Sequence, residues 1–127
     1  MFSGRVRGAS GCPGTTGRLA ALRWPEGVRI DSGVSAGQRV SAAFDPMLAK
    51  VIAHGPDRTT AIARAADALR RTVLLGLTTN REFLVRVLED ETFQRSAVHT
   101  GYLDEAMERL LPPPPDRDTL AAGLAAA

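Results

Sequence analysis

Val28-Arg29-Ile30-Asp31-Ser32-Gly33-Val34, followed eleven residues later by Asp45-Pro46-Met47-Leu48-Ala49-Lys50-Val51-Ile52, decides the reading of this 127-residue chain. The first segment alternates apolar and polar residues, as expected of a strand with one covered face. A turn carrying Gly33 and Gly37 follows. Asp45-Pro46 then makes a second turn into a near-continuous apolar run that ends before Gly55, the pattern of a buried strand. An arginine on a strand is held rigidly, is always charged and presents a planar fork of donors to an oxyanion. Arg29 is therefore the candidate substrate-contacting and catalytic residue. Lys50 is the only lysine beside fifteen arginines. In an apolar strand its ammonium must meet a carboxylate or reach solvent, and Asp45 is the nearest candidate partner. Asp31 and Lys50 read as structural support, Asp31 orienting a neighbour or a turn.

On either side of this core the pattern divides the chain in two. Arg18 to Trp24, Val28 to Val34, Gln38 to Val40 and Leu48 to Ala53 read as strands, giving a small antiparallel unit built of hairpins. Beyond Pro56 the period changes to that of helices. Asp57 is an N-cap, Ile62, Ala65, Ala66, Leu69 and Val73 form one face, Arg70 and Arg71 complement the dipole, and Gly76 is the stop signal. Leu77-Thr78-Thr79 is expected as one more strand. Asn80 caps a second helix with Phe83, Leu84, Val87 and Leu88 inward. Residues 90–96 are a connection, and Leu103, Ala106, Met107 and Leu110 mark a third helix. The predicted fold class is α+β, an antiparallel β unit followed by about three helices. Residues 1–14, rich in glycine, serine and arginine, read as a disordered leader, 15–111 as the domain, and 112–127 as a proline-rich linker with an alanine-rich tail.

Composition excludes several functions. Hydrophobic residues make up 44% and charged residues 24%, the balance of an ordinary globular domain. The net charge is only +2, with 5% aromatics, and the basic residues are scattered, so a nucleic-acid interface is not expected. No apolar run approaches a bilayer span, and the expected location is soluble and cytoplasmic, away from membranes. Cys12 is the sole cysteine, so an internal disulfide is impossible. His54 and His99 have no neighbours at metal-ligand spacing, and no metal site is predicted. Gly11-Cys12-Pro13-Gly14 lacks the ending of a phosphate-binding loop.

The ordered set Arg-Ile-Asp-Ser-Gly (29–33), Asp-Pro-Met-Leu-Ala-Lys-Val-Ile (45–52), His-Gly-Pro-Asp-Arg (54–58), Gly-Leu-Thr-Thr-Asn (76–80) and His-Thr-Gly-Tyr-Leu (99–103) resembles the C-terminal part of biotin carboxylase. That enzyme component loads CO2 onto biotin in acetyl-, propionyl- and methylcrotonyl-CoA carboxylases. The resemblance begins near Thr16-Gly17-Arg18-Leu19 and covers most of the chain. It implies that Arg29 contacts the ureido oxygen of biotin and helps hold bicarbonate. It implies biotin on a separate carrier domain, with ATP and Mg²⁺ bound by an ATP-grasp portion outside this segment. It further implies as partners that ATP-grasp portion, the carrier domain and a carboxyltransferase subunit, and it leaves room for a homodimer. Because the ATP-grasp elements are missing from this sequence, the chain alone is expected to be an inactive portion of an ATP-dependent ligase serving acyl-CoA and fatty acid metabolism. The alternative is a non-catalytic interaction or assembly module that keeps the fold. Three departures stand out. Phe44 replaces a usual tyrosine, Leu75 sits where some members carry a charge, and the hairpin between Gly27 and Val28 is two residues short.

Overall fold

Leu19 has no solvent exposure at all, and the chain around it changes partners. In the computed structural model, which describes residues 2–3, 16–41 and 47–111 (2–3 by backbone alone), the segment expected as one strand is two. β2 (Gly17–Arg18) pairs antiparallel with β5 (Arg39–Val40), and β3 (Ala21–Arg23) pairs antiparallel with β7 (Val73–Leu75). Leu19 makes the crossing. Its amide donates to the Gln38 carbonyl at 2.9 Å and its carbonyl accepts from Gly37 at 2.7 Å, while the next amide, Ala20, donates to Leu75 at 2.8 Å. A third group has the order β1 (Phe2–Ser3), β6 (Met47–Ile52), β4 (Arg29–Ser32), with both pairings antiparallel. The antiparallel β unit is thus present, but among the described residues no two strands consecutive in sequence pair with each other. Long connections replace the expected hairpins.

The helices are α1 (Arg58–Arg71), α2 (Arg81–Glu89), the one-turn α3 (Glu91–Gln94) and α4 (Tyr102–Leu110). Asp57 caps α1 as expected, its Oδ1 accepting from the Thr60 amide at 2.8 Å and its Oδ2 from the Thr60 hydroxyl at 2.9 Å. Asn80 occupies the cap position of α2 without a side-chain capping bond. Three expectations are corrected. First, α1 stops at Arg71 rather than at Gly76. Thr72, fully buried, turns its amide and hydroxyl onto the Ala68 carbonyl at 3.0 and 2.9 Å and leaves the helix extended. Second, the strand that follows is Val73–Leu75, not Leu77–Thr79, because Thr72 releases a β-branched and apolar segment directly opposite β3. Third, residues 90–96 are not a plain connection. Asp90 accepts from the Thr92 amide at 3.0 Å and starts α3, which makes four helices instead of three.

Two hydrophobic clusters meet on α2. Leu48 of β6, Leu69 of α1 and Val85 of α2 form one, with Trp24, Val51, Leu74 and Leu77 packed around it. Phe83 of α2 with Tyr102, Ala106 and Leu110 of α4 forms the other. Leu84 touches both. Each aliphatic side chain so buried contributes about 1.5–3 kcal/mol relative to exposure, so α2 joins the β unit to α4. Asp90 adds a polar tie. Its side chain is 12% exposed and pairs with Arg109 of α4 at 2.8 Å. Burial opposes its ionisation, yet the neighbouring Tyr102 hydroxyl, the Arg109 charge and the Thr92 bonds together hold it below the usual carboxylate range. Burial, with the adjacent carboxylate, pushes the Tyr102 phenol up.

Gly76 has the closest approach of any glycine among the described residues. Its φ is +96°, and a Cβ there would lie 2.1 Å from the Arg18 carbonyl oxygen and 2.9 Å from the Ala20 amide. Gly27 has a comparable φ of +85° but open space within 4 Å. Gly76→Ala is therefore expected to destabilise the domain by about 2 kcal/mol or more, backbone strain and overlap together. Gly27→Ala should cost only about 1 kcal/mol. Urea unfolding of both variants against the wild type checks the contrast.

The cap on α1 gives a pH signature. The Thr60 amide and hydroxyl hold the Asp57 carboxyl below its ordinary value of 3.8. A carboxylate with a lowered folded pKa contributes stability that is present above the unfolded pKa and lost as pH falls through the folded one. Asp57→Ala is expected to lower the thermal midpoint by about 3–6 °C at neutral pH. The gap to wild type should close as pH drops below 3.8. Asp57→Asn, which still caps, should keep most of the neutral-pH midpoint. Thermal melts of the three proteins across pH read the difference.

Candidate functional site

β4 carries its charges on one side. Residues two apart on a strand share a face, so Arg29 and Asp31 project together. The register with β6 puts Lys50 opposite Asp31 and Ile52 opposite Arg29. Three of the four residues singled out from the sequence, Arg29, Asp31 and Lys50, are therefore brought to one patch. Asp45, the expected partner of Lys50, lies outside the described residues, as does Phe44. Ser32 closes the strand, its hydroxyl donating to the Val34 carbonyl at 2.9 Å. The Gly33 amide then bonds the Leu48 carbonyl at 3.1 Å and pins the end of β4 to β6.

The patch faces solvent. The Arg29 side chain is 73% exposed and that of Asp31 43%. Nε of Arg29 donates to Oδ1 of Asp31 at 2.9 Å and Nη2 donates to Oδ2 at 3.1 Å, a bidentate pair. The hydrogen bond from Arg29 holds the Asp31 carboxyl below its usual range, and the Lys50 charge adds to the effect. In return the Asp31 carboxylate raises the guanidinium pKa, so Arg29 stays charged at every accessible pH. The three formal charges, two positive and one negative, leave the patch cationic by one. A net positive patch with a planar fork of donors has the chemistry to attract an oxyanion.

The histidines lie elsewhere. His54 accepts from Arg64 through its backbone carbonyl at 2.8 Å, and His99 stands 3.5 Å from Glu105. Among the described residues no group of three His, Cys, Asp or Glu side chains is placed to hold a metal ion. No helix among them is long and apolar enough to cross a membrane. Sequence reading missed a concavity on the helical side, away from this patch. A groove of about 290 Å³ between α1 and α2, lined by Thr59, Ile62, Ala66, Leu88 and Gln94, is spanned at one side by the Arg70–Glu89 ion pair. It continues past Ile62 and Leu88 into an open cleft of about 550 Å³ beside His54, Arg58 and Phe93. Arg58 lies over the Phe93 ring at 5.0 Å and donates to its carbonyl at 2.8 Å. The only sequence signal for it was the segment 54–58, because Phe93 comes from α3, which the pattern did not show.

With this geometry in hand, similarity to known proteins is informative. Residues 8–105 match the family described as the biotin carboxylase C-terminal domain. The chain belongs to that family. It is 43% identical over 88 residues to a urea amidolyase of Lachancea kluyveri, covering 69% of this chain and 5% of that protein. It is 39% identical over 92 residues to the human mitochondrial propionyl-CoA carboxylase alpha chain, covering 70% of this chain and 13% of that protein. Among solved structures, Kluyveromyces lactis urea carboxylase superposes with a TM-score of 0.75 at 34% identity over 81% of this chain and 9% of its own. The biotin carboxylase domain of a single-chain bacterial carboxylase gives 0.74 at 29% identity, over 86% of this chain and 24% of its own. The chain thus spans only a small part of the relatives it matches. These findings establish the α+β fold and the membership of a family found in biotin-dependent carboxylases.

An exposed ion pair contributes little to stability. Arg29→Ala is accordingly expected to leave the thermal midpoint unchanged within about 2 °C. A larger loss in a thermal melt would mean that the patch serves the fold and not a ligand.

Proposed function

We propose that this chain forms the C-terminal wall of a biotin carboxylase active site, with Arg29 as the residue that meets the reacting oxyanion. The observation carrying this reading is the guanidinium that β4 presents to solvent, bidentately braced and cationic in net charge. An exposed ion pair contributes little to the fold, so stability alone does not account for it. In this reading residues 15–111 are the domain proper. Biotin, on a separate carrier, accepts the carboxyl group from bicarbonate at the expense of ATP, with Mg²⁺ at the nucleotide. Arg29 contributes by attraction of bicarbonate and by stabilisation of negative charge as it develops on the ureido oxygen. Asp31 and Lys50 support it. The nucleotide and Mg²⁺ would be held by an ATP-grasp portion facing the β4–β6 patch, and the carrier domain and a carboxyltransferase would be further partners. The relatives include one named for propionyl-CoA and one named for urea, which supports a reading in which a carboxyltransferase outside this domain selects the final acceptor.

Exposed apolar side chains fit a surface that meets other domains or subunits. Leu75 is 57% exposed, and Met47, Val98 and Leu103 are each at least 40% exposed. The 127-residue chain by itself is expected to associate in light scattering and to bind a hydrophobic dye. A strict monomer at high concentration without dye binding would remove this support.

Two activity measurements test the reading. The isolated chain should show no bicarbonate- and biotin-dependent phosphate release from ATP above a blank. Combined with an ATP-grasp portion into an active carboxylase, Arg29→Lys should fold normally and lose about two to three orders of magnitude in biotin carboxylation, because lysine keeps the charge without the planar fork. Near-normal carboxylation by that variant would overturn the role of Arg29.

A further inference from the structure

Asp31 does something that charge alone does not explain. A site for an anion is weakened electrostatically by a carboxylate inside it, yet Asp31 sits at hydrogen-bond distance from the very guanidinium that would bind the anion. The pair is too exposed for its ionic attraction to matter to the fold. Its geometry is nonetheless specific. Asp31 takes the Nε and Nη2 donors, the side edge of the guanidinium, at 2.9 and 3.1 Å. The end edge, Nη1 with the second hydrogen of Nη2, has no partner among the described residues. Lys50, paired in register with Asp31 across β4–β6, supplies the positive charge that Asp31 cancels.

We infer that Asp31 is the positioning residue for Arg29, fixing the plane of the guanidinium so that its end edge is offered to a planar, fork-matched oxyanion. This rests on the proposed contact between Arg29 and bicarbonate. A free arginine samples many rotamers and must be ordered when a ligand binds. Here the ordering is done beforehand by a neighbour on the same strand, two residues along. The brace also explains why the patch holds a second cation. Without Lys50 the Arg29–Asp31 pair would be neutral overall and would attract an anion less strongly.

Order and charge predict opposite results when Asp31 is neutralised, which makes the inference testable. In Asp31→Asn the patch gains one positive charge. If Asp31 were only a counter-charge, every anion would bind tighter and relative preferences would persist. If Asp31 positions the fork, the preference for a planar oxyanion over a spherical ion disappears even where overall anion binding rises. The experiment uses the 127-residue chain labelled with NMR-active nitrogen and carbon, read at Arg29 Nε and Cζ by carbon detection in mildly alkaline buffer. Sodium bicarbonate and sodium chloride are titrated at matched ionic strength. In the wild type we expect an ordered Nε and a saturable response to bicarbonate that chloride does not reproduce. In Asp31→Asn, with an unchanged melt, Nε becomes mobile and the two anions give equal responses. Asp31→Glu, which returns the carboxylate on a longer stem, restores part of the preference.

An undiminished bicarbonate preference in Asp31→Asn, or an Arg29 Nε as mobile in the wild type as in the variant, would overturn the positioning role while leaving the bicarbonate contact standing. An ordered Nε without any bicarbonate response would overturn the contact itself, and the purpose given to Asp31 with it.

Discussion

The approach of Gly76 to the backbone of Arg18 and Ala20 is the constraint on which the rest of this domain depends. Two segments far apart in sequence lie closer there than any side chain allows, 2.1 Å from the position of a Cβ to a carbonyl oxygen. That approach lets β7 pair with β3 and leaves Leu19 sealed at the crossing between β2 and β3. β7 is also the direct continuation of α1 through Thr72. One contact therefore fixes the helical half of the molecule to the N-terminal strands. It does so through a glycine because no other residue combines φ of +96° with the absence of a Cβ.

The charged patch follows from the same scaffold with little added. Leu48 of β6 lies in the cluster with α1 and α2 and Val51 packs against it, which orders the strand beside it. β4 can then present Arg29 and Asp31 outward on a backbone held by four paired residues. The rigidity of the site thus comes from the hydrophobic cluster behind it, whereas its chemistry comes from three exposed charges. Groups that bind ligands need not be buried in their own domain when a second domain completes the enclosure. The exposed apolar residues elsewhere on the surface agree with a piece that works in contact with others.

How far the sequence disclosed this can be traced residue by residue. Strand alternation around Arg29 and the apolar run through Val51 placed β4 and β6, and the Asp57 cap placed the start of α1, because each signal is local. The patch of Arg29, Asp31 and Lys50 was half legible. Arg29 and Asp31 share a face by their spacing, whereas the cross-strand placement of Lys50 depends on a register that only the folded chain defines. The errors have a common cause. The end of α1 at Thr72, the position of β7 and the division at Leu19 are all set by partners distant in sequence, and local propensity pointed instead to Gly76, to Thr78-Thr79 and to an unbroken strand. α3 escaped because a single helical turn carries too few residues to show a period.

The pattern of strand pairing has a kinetic meaning. In the described part of the chain the nearest pairing in sequence still joins Ser32 to Ala49, and β3 must wait for β7 on the far side of α1. Loops have to close before any of these ladders rewards the chain, whereas α1 can nucleate locally from its capped start. An isolated two-stranded pair, such as β2–β5 or β3–β7, is marginally stable at best in water. Topology therefore favours an order in which α1 forms first and the ladders close after it. Because β4 pairs with β6, Arg29 and Asp31 gain their place beside Lys50 only once the chain has grown past Ile52, so the charged patch takes its shape from a strand made after the one that carries it.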